Sequence, residues 1–442
     1  METKLERIAE IAKSRPREKF TSLIHLINED TIKECHKEMN RKKAAGVDLV
    51  TKDEYEVNLD DQVKDLINRM KRQAYKPQPA RVAYIPKMGT HKKRPLGIPS
   101  YEDKLVQAAL AKILSAIYEQ DFLECSFGFR PNRGCHDALK ILNKILNKKE
   151  INYLVDTDIK GFFEHVDHEW LKKFIQHRIS DPNILRLVAR FLRSGIIEAG
   201  MKYDTPEGTP QGGVISPILG NLYLHYVLDL WFEKRIRKGC RGMAYMVRYA
   251  DDTVFCFQYE EDAKEFYAQM IERLKIFNLE VAEEKTKIIS LGKDHHNEDK
   301  AGGCRGGNSF DFLGFTHYMG RSKNGAKRVK RKTSKEKYRA SLLRCKIWIR
   351  ANRNMPIKNF MNELKIKLQG YCRYYGITDN RNAVNNFIDE VKRLLYKWLN
   401  RRSQRKSFNW DKFNLFLEKY PLPRAKTYVR IFDLGMGNSY IM

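Results

Sequence analysis

Three aspartates carry the strongest chemical signal in this 442-residue chain: Asp158 in NYLVDTDIKGFF (152–163), and Asp251 with Asp252 in MVRYADDTVFCF (246–257). The first segment alternates like a short strand, which places Leu154, Asp156 and Asp158 on one face and Asp158 at the strand's end. In the second, two β-rich runs flank Ala250-Asp251-Asp252, the pattern of a tight hairpin with acids at its tip. Acids at a turn are ordinarily turn chemistry. A hairpin packed beside the strand would instead gather three carboxylates, and such a cluster repels itself unless cations are bound. Carboxylate oxygens suit hard Mg²⁺. Two such ions would activate an attacking hydroxyl, bridge triphosphate oxygens and stabilise a leaving group, which is phosphoryl-transfer chemistry.

The elements that must position these acids read as a mixed α+β arrangement. Residues 28–39 and 59–72 have helical spacing, 80–85 alternates like a strand, 86–93 is a basic turn, 95–99 is extended, and 102–118 is a helix. No internal period is present. Residues 292–308, with two Gly-Gly pairs and two adjacent histidines, read as a loop.

Charge identifies the partner class. The chain has 83 Lys and Arg against 55 Asp and Glu, a formal net charge of +28. That excess predicts a polyanion, with nucleic acid ahead of an anionic membrane. No window of eighteen apolar residues and no signal segment is present, so a soluble, intracellular protein is expected, without membrane association. The eight cysteines are scattered singly with no CxxC pair, so they read as reduced, mostly buried thiols rather than zinc ligands.

The excess is uneven. Residues 321–442 hold 31 Lys and Arg against 8 Asp and Glu, and so carry most of it. Residues 321–339 (RSKNGAKRVKRKTSKEKYR) read as an exposed basic linker or helix start. Helical spacing then recurs over 338–352, 357–370 and 384–399, a small helical domain. Beyond it, Arg401, Arg402, Arg405 and Lys406 interleave with Phe408, Trp410, Phe413 and Phe416, a composition suited to phosphate contact plus stacking, or to a helical core.

Several ordered blocks together resemble the bacterial group II intron reverse transcriptase/maturase family. They are AAGVD (44–48), YIPK and RPLGIP (84–99), SFGFRPNRGCHDAL (126–139), DIKGFFEHVDHEWL (158–171), TPQGGVISPILGNLYL (209–224), RYADD (248–252), EKTKI (284–288) and FDFLGF (310–315). The resemblance implies a right-hand polymerase. Fingers and palm with antiparallel sheet would occupy 1–320, a helical thumb or maturase domain 321–400, and a small basic DNA-binding region 401–442. The chain lacks the Cys-rich endonuclease block of many relatives, so an endonuclease-free form is expected.

Carried over by position, the resemblance implies that Asp158, Asp251 and Asp252 are catalytic and bind two Mg²⁺ ions, with the Ile159 carbonyl completing a metal shell. Lys87 and Arg94 would contact the triphosphate, Phe163 would form a steric gate against the ribose 2′-hydroxyl, and Gln211 would lie beneath the incoming nucleotide. Lys285 would be a further cation near it, and Arg130 would organise template or finger contacts. The implied activity is RNA-directed DNA polymerisation from dNTPs on an RNA template with a DNA primer. Binding of group II intron RNA, with help in splicing and retromobility, accompanies it, in a bacterial cytoplasm and in association with the nucleoid. Two alternatives remain open in the sequence: a domesticated reverse transcriptase in phage defence, CRISPR spacer acquisition or repair, and a non-catalytic RNA-binding maturase.

Overall fold

The computed structural model describes residues 2–86, 93–148, 150–198, 200–209, 212–284, 286–291, 309–322, 324–402 and 407–433. Of the residues singled out above, Lys87, Gln211, Lys285, Arg405, Lys406 and the loop 292–308 lie outside these. The chain divides into two compact units, one of Met1–Lys87, His91–Gly134 and Val155–Lys287, the other of Met88–Thr90, Cys135–Leu154 and Ile288–Met442. The strands in chain order are β1 (Ala80–Pro86), β2 (Lys93–Ile98), β3 (Tyr153–Thr157), β4 (Ile196–Glu198), β5 (Met201–Tyr203), β6 (Ala244–Tyr249), β7 (Asp252–Phe257), β8 (Lys287–Ser290), β9 (Phe310–Phe312), β10 (Phe315–Arg321) and β11 (Lys327–Thr333).

In the first unit, helices begin where the sequence supplies a cap. The Asn28 side chain accepts from the Thr31 amide at the start of Glu29–Glu38, and Ser100 accepts from Asp103 at the start of Tyr101–Tyr118. Twelve of the eighteen residues of Tyr101–Tyr118 are buried, so this helix is the unit's central rod. Its buried Asp103 receives the Tyr75 hydroxyl and, at 2.9 Å, the Gln78 amide, which ties the chain entering β1 to the rod. β1 and β2 form an antiparallel hairpin, β4 joins β1 in parallel, and β5 closes the order β2-β1-β4-β5.

A second sheet runs β6-β7-β3-β8. β6 and β7 are buried along nearly their whole length, because helices cover them and no face is left for polar alternation. Phe266 of helix Glu260–Ile276 packs its ring 4.4 Å from Phe255 and 5.2 Å from Phe257. Helix Ser216–Leu224 continues through two π-helical stretches, His225–Asp229 and Phe232–Ile236, the second placing Phe232 5.1 Å from Phe255.

The second unit corrects the expected linker. Residues 321–333 are not a linker: β10 and β11 pair antiparallel from Phe315↔Thr333 to Arg321↔Lys327, with a turn at Gly325, while 335–339 do open an exposed basic helix. Strand alternation carries Arg331 fully inside, where its Nη2 donates to Asn143 at 2.5 Å and burial pulls its pKa down to about 10. Arg328 donates twice to Asp379, at 2.9 and 2.5 Å. A boundary at residue 320 would therefore cut a hairpin.

The boundary at 400 fares likewise. Helices Lys335–Asn352, Ile357–Tyr375 and Arg381–Leu399 share one core that includes Phe360, Leu364, Leu368, Phe387, Val391 and Leu395, and the fully buried Phe413 of helix Trp410–Lys419 belongs to it. Asn400 accepts from the Phe408 amide at 2.7 Å and donates to its carbonyl at 2.9 Å, which turns the chain back onto the bundle. The aromatics after 400 are thus divided. Phe413 is core, whereas Trp410 is 47% exposed and stacks on Tyr396 with centroids 4.2 Å apart.

Phe413→Ala should therefore destabilise the second unit by about 3–5 kcal/mol in denaturant unfolding. Trp410→Ala should cost clearly less. Equal, small losses for both would mean that 407–420 is an appendage rather than part of the bundle.

Candidate active site

The site is built around the β6–β7 hairpin. Tyr249 pairs with Asp252, leaving Ala250 and Asp251 as the two-residue tip. Ala250 has φ +58°, a left-handed conformation that costs a residue with a Cβ roughly 1–2 kcal/mol. Arg248 offsets this from below. Its fully buried guanidinium donates to the Ala250 carbonyl at 3.0 Å, to Asn221 Oδ1 at 3.0 Å, and to both oxygens of the equally buried Asp229 at 2.7 and 2.5 Å. Asn221 in turn donates to the Gly128 carbonyl at 2.7 Å. Gly128 lies so close to the tip that a Cβ there would stand 2.3 Å from the Ala250 nitrogen, so the position admits only glycine.

Asp158 follows β3, which is held to β7 by the Thr157 hydroxyl donating to the Thr253 carbonyl at 3.2 Å. On its other side, Ala282 donates to the Asp158 carbonyl at 2.8 Å and Lys160 donates to Glu280 at 2.9 Å. These bonds flank the Ile159–Val281 bridge and leave the Ile159 carbonyl outside it, consistent with an antiparallel non-hydrogen-bonded pair.

Asp251 is half-buried, and its carboxyl is raised above the usual 3.8 by burial and by the negative charge of Asp158; Arg94 and Arg248 act against the rise. The structure therefore brings Asp158, Asp251 and Arg94 into one electrostatic neighbourhood. Asp252 opens β7 and is exposed. Among the described residues no group of three or more His, Cys, Asp or Glu side chains stands close enough together to hold a metal by itself.

Phe163 is half-buried in the turn after Gly161, and a Cβ on Gly220 would come within 2.9 Å of its ring. The Thr209 amide donates to the Phe163 carbonyl at 2.7 Å. On the far side of Gln211, Gly212 has φ +110° and sits where a Cβ would meet the Gly97 carbonyl of β2 at 2.7 Å. Arg130 takes a supporting place in its loop. It is buried, pairs with Glu119 at 2.9 Å and donates to the carbonyls of Leu123 and Ser126, so it holds its own loop together.

Residues 85–317 match the family model for reverse transcriptase (RNA-dependent DNA polymerase), and 339–416 match that for the group II intron maturase-specific domain. The group II intron-encoded protein LtrA of Lactococcus lactis subsp. cremoris is 30% identical over 87% of this chain and 75% of its own length. The chain belongs to the group II intron reverse transcriptase/maturase family. Protein YkfC of Escherichia coli is 36% identical over 44% of this chain and 51% of its own. An uncharacterized 91 kDa protein in the cob intron of Schizosaccharomyces pombe is 39% identical over 39% of this chain and 21% of its own. As a reverse transcriptase the chain is an RNA-directed DNA polymerase, of a family that uses divalent metal, and its second unit carries the maturase helices.

Sequence reasoning missed the reverse transcriptase's buried anchor of Arg248, Asp229, Asn221 and Gly128. A signal existed, since Arg248 is a lone charge in the otherwise uncharged strand Ala244–Tyr249. Arg248→Met should destabilise the enzyme by about 3–5 kcal/mol, because Asp229 is left buried without its partner. Adding Asp229→Leu should recover most of that stability in denaturant titrations while primer extension stays at least about ten-fold below wild type, since the Ala250 carbonyl still lacks its donor. Recovery of extension along with stability would mean that the pair supports the fold alone.

The raised Asp251 carboxyl has its own consequence. Ionised Asp251 is disfavoured in the folded chain, so its contribution to stability is fully present below pH 3.8 and is lost as pH rises through the elevated value. In chelator-containing buffer Asp251→Asn should unfold at a higher temperature than wild type at pH 7, with the gap closing as pH falls toward 4. A pH-independent gap would sink this account.

Proposed function

We propose that the enzyme polymerises dNTPs on a primed RNA template at Asp158 and Asp251 with two Mg²⁺ ions, and that its maturase region binds group II intron RNA to assist splicing and retromobility. The observation supporting the polymerase assignment is the coupling of half-buried Asp251 to Asp158. Two like charges at a partly desolvated site are costly alone and fit a divalent cation, which Asp158 and Asp251 would hold with Asp252 and the Ile159 carbonyl as further oxygen donors. When bound, the metal supplies acidification of the primer 3′-hydroxyl and neutralisation of charge on the leaving group.

The protein's own part is positioning. The Arg248 anchor fixes the Asp251 turn. Arg94, which acts on Asp251 electrostatically, is a cation for the triphosphate, and the Phe163 ring braced by Gly220 excludes a ribose 2′-hydroxyl. Lys87, Gln211 and Lys285 are assigned as further nucleotide contacts by resemblance. The primer 3′-oxygen bonds to the α-phosphorus, the bond to the bridging oxygen of the β-phosphate breaks, pyrophosphate departs and the hydroxyl proton passes to solvent.

The match of 339–416 to the maturase-specific model favours the intron reading over a domesticated enzyme. A bacterial cytoplasmic, nucleoid-associated location accompanies it, and among the described residues no helix is long and apolar enough to cross a membrane.

Extension of a DNA primer on RNA should require Mg²⁺ and fall by more than about a thousand-fold in Asp158→Asn or Asp251→Asn. Mg²⁺ should also raise the unfolding temperature of wild type but not of Asp251→Asn. Phe163→Val should admit ribonucleotides. Wild-type protein that splices intron RNA yet extends no primer would leave the non-catalytic maturase instead.

A further inference from the structure

We propose that Arg350, Arg353 and Arg401, gathered around Trp398, form a phosphate-binding site of the maturase domain that takes RNA where backbone phosphates crowd together. This rests on the RNA-binding reading above and names the surface that carries it. Trp398 lies in the last turn of helix Arg381–Leu399 and is 7% exposed. Three guanidinium carbons stand 5.7, 5.5 and 5.3 Å from its ring centroid, those of Arg350, Arg353 and Arg401. They come from the end of helix Lys335–Asn352, the residue just past it, and the turn after helix Arg381–Leu399. Arg402 joins these segments by donating to the Met355 carbonyl at 3.0 Å.

Three cations held around one ring repel one another. Elsewhere in the unit such charges are met by acids: Arg328 by Asp379, and Arg393 by Glu390 at 2.7 Å. Among the described residues, Arg350, Arg353, Arg401 and Arg402 make no ion pair. The indole holds arginines by its electron-rich ring, and its buried N–H has no acceptor in the structure, so what it contributes is that ring. A guanidinium packed on an aromatic keeps its edge donors available, and that edge matches a phosphate bidentately. Three such guanidinium groups gathered around one ring suit phosphates brought together by RNA folding better than the evenly spaced phosphates of an extended strand. Arg350 and Arg401 are exposed, which leaves the site open to such a ligand, and the cluster falls inside the maturase-specific match.

The test uses the full chain with a transcribed group II intron RNA and, in parallel, a DNA duplex of similar length. Combined Arg350→Gln, Arg353→Gln and Arg401→Gln should lower RNA affinity at least about ten-fold near 0.1 M salt and reduce the slope of log affinity against log salt by about two to three. Arg350→Gln alone, at an exposed position with little risk to folding, should reduce the slope by about 0.7–0.9. Lysine at all three positions should keep the slope but lose part of the affinity, because the stacked planar edge is gone. Arg393→Gln should change neither. A folded triple variant with unchanged affinity and slope, while wild type binds RNA, would overturn this site and leave the maturase reading standing. If wild type binds no RNA, both fall together, and an equal loss on the DNA duplex would overturn the assignment to RNA.

Discussion

The buried ion pair of Arg248 and Asp229 is the constraint on which the polymerase unit depends. Neither side chain has exposed surface, so each has exchanged water entirely for protein partners, and an unmet donor or charge there would be expensive. Arg248 meets this by spending its hydrogen bonds on three different segments: Asp229, Asn221 and the Ala250 carbonyl. Its backbone does the same toward a fourth, bonding to the Cys125 carbonyl at 2.8 Å and the Phe127 amide at 2.9 Å. Satisfying one cation therefore locks a strand, a helix, its π-helical extension and the loop containing Gly128 around the hairpin tip.

Several local oddities arise from that lock. A left-handed alanine is tolerated at position 250 because its carbonyl is captured, and Gly128 is required because the captured tip leaves no room for a Cβ. The π-helical stretch ending at Asp229 belongs to the same arrangement, since a widened turn shifts the register of the residues beyond it and π-bulges recur at functional sites. Rigid support beneath Asp251 matters because its carboxyl faces the charge of Asp158, a repulsion that a loosely held turn would relieve by moving apart.

The features legible in the sequence were those that depend on nearest neighbours. The end of β3, the hairpin tip, the Tyr101–Tyr118 rod and the thumb helices all have periodicity or cap residues within one or two turns, and each is present in the structure. The features that were not legible depend on residues far away in the chain. Nothing within KRVKRKT tells that Arg331 goes inside, because its acceptor is Asn143 and its acidic neighbour Asp379. Arg248 was legible as a motif member but not as a buried hub, since Asp229 and Asn221 come from a helix 19 and 27 residues earlier.

The same distinction sorts the basic charge of the second unit. Counting alone treats the 31 Lys and Arg of residues 321–442 as one reservoir. The structure shows that some are already committed: Arg331 is desolvated in the interior and Arg328 is bidentate with Asp379, so neither can neutralise a phosphate without giving up internal bonds. The charges that can release counterions are those left exposed and acid-free, and the arginines around Trp398 are the ones that packing has concentrated. Net charge predicts a polyanionic partner; burial and pairing with acids decide which cations of that region stay free to meet one.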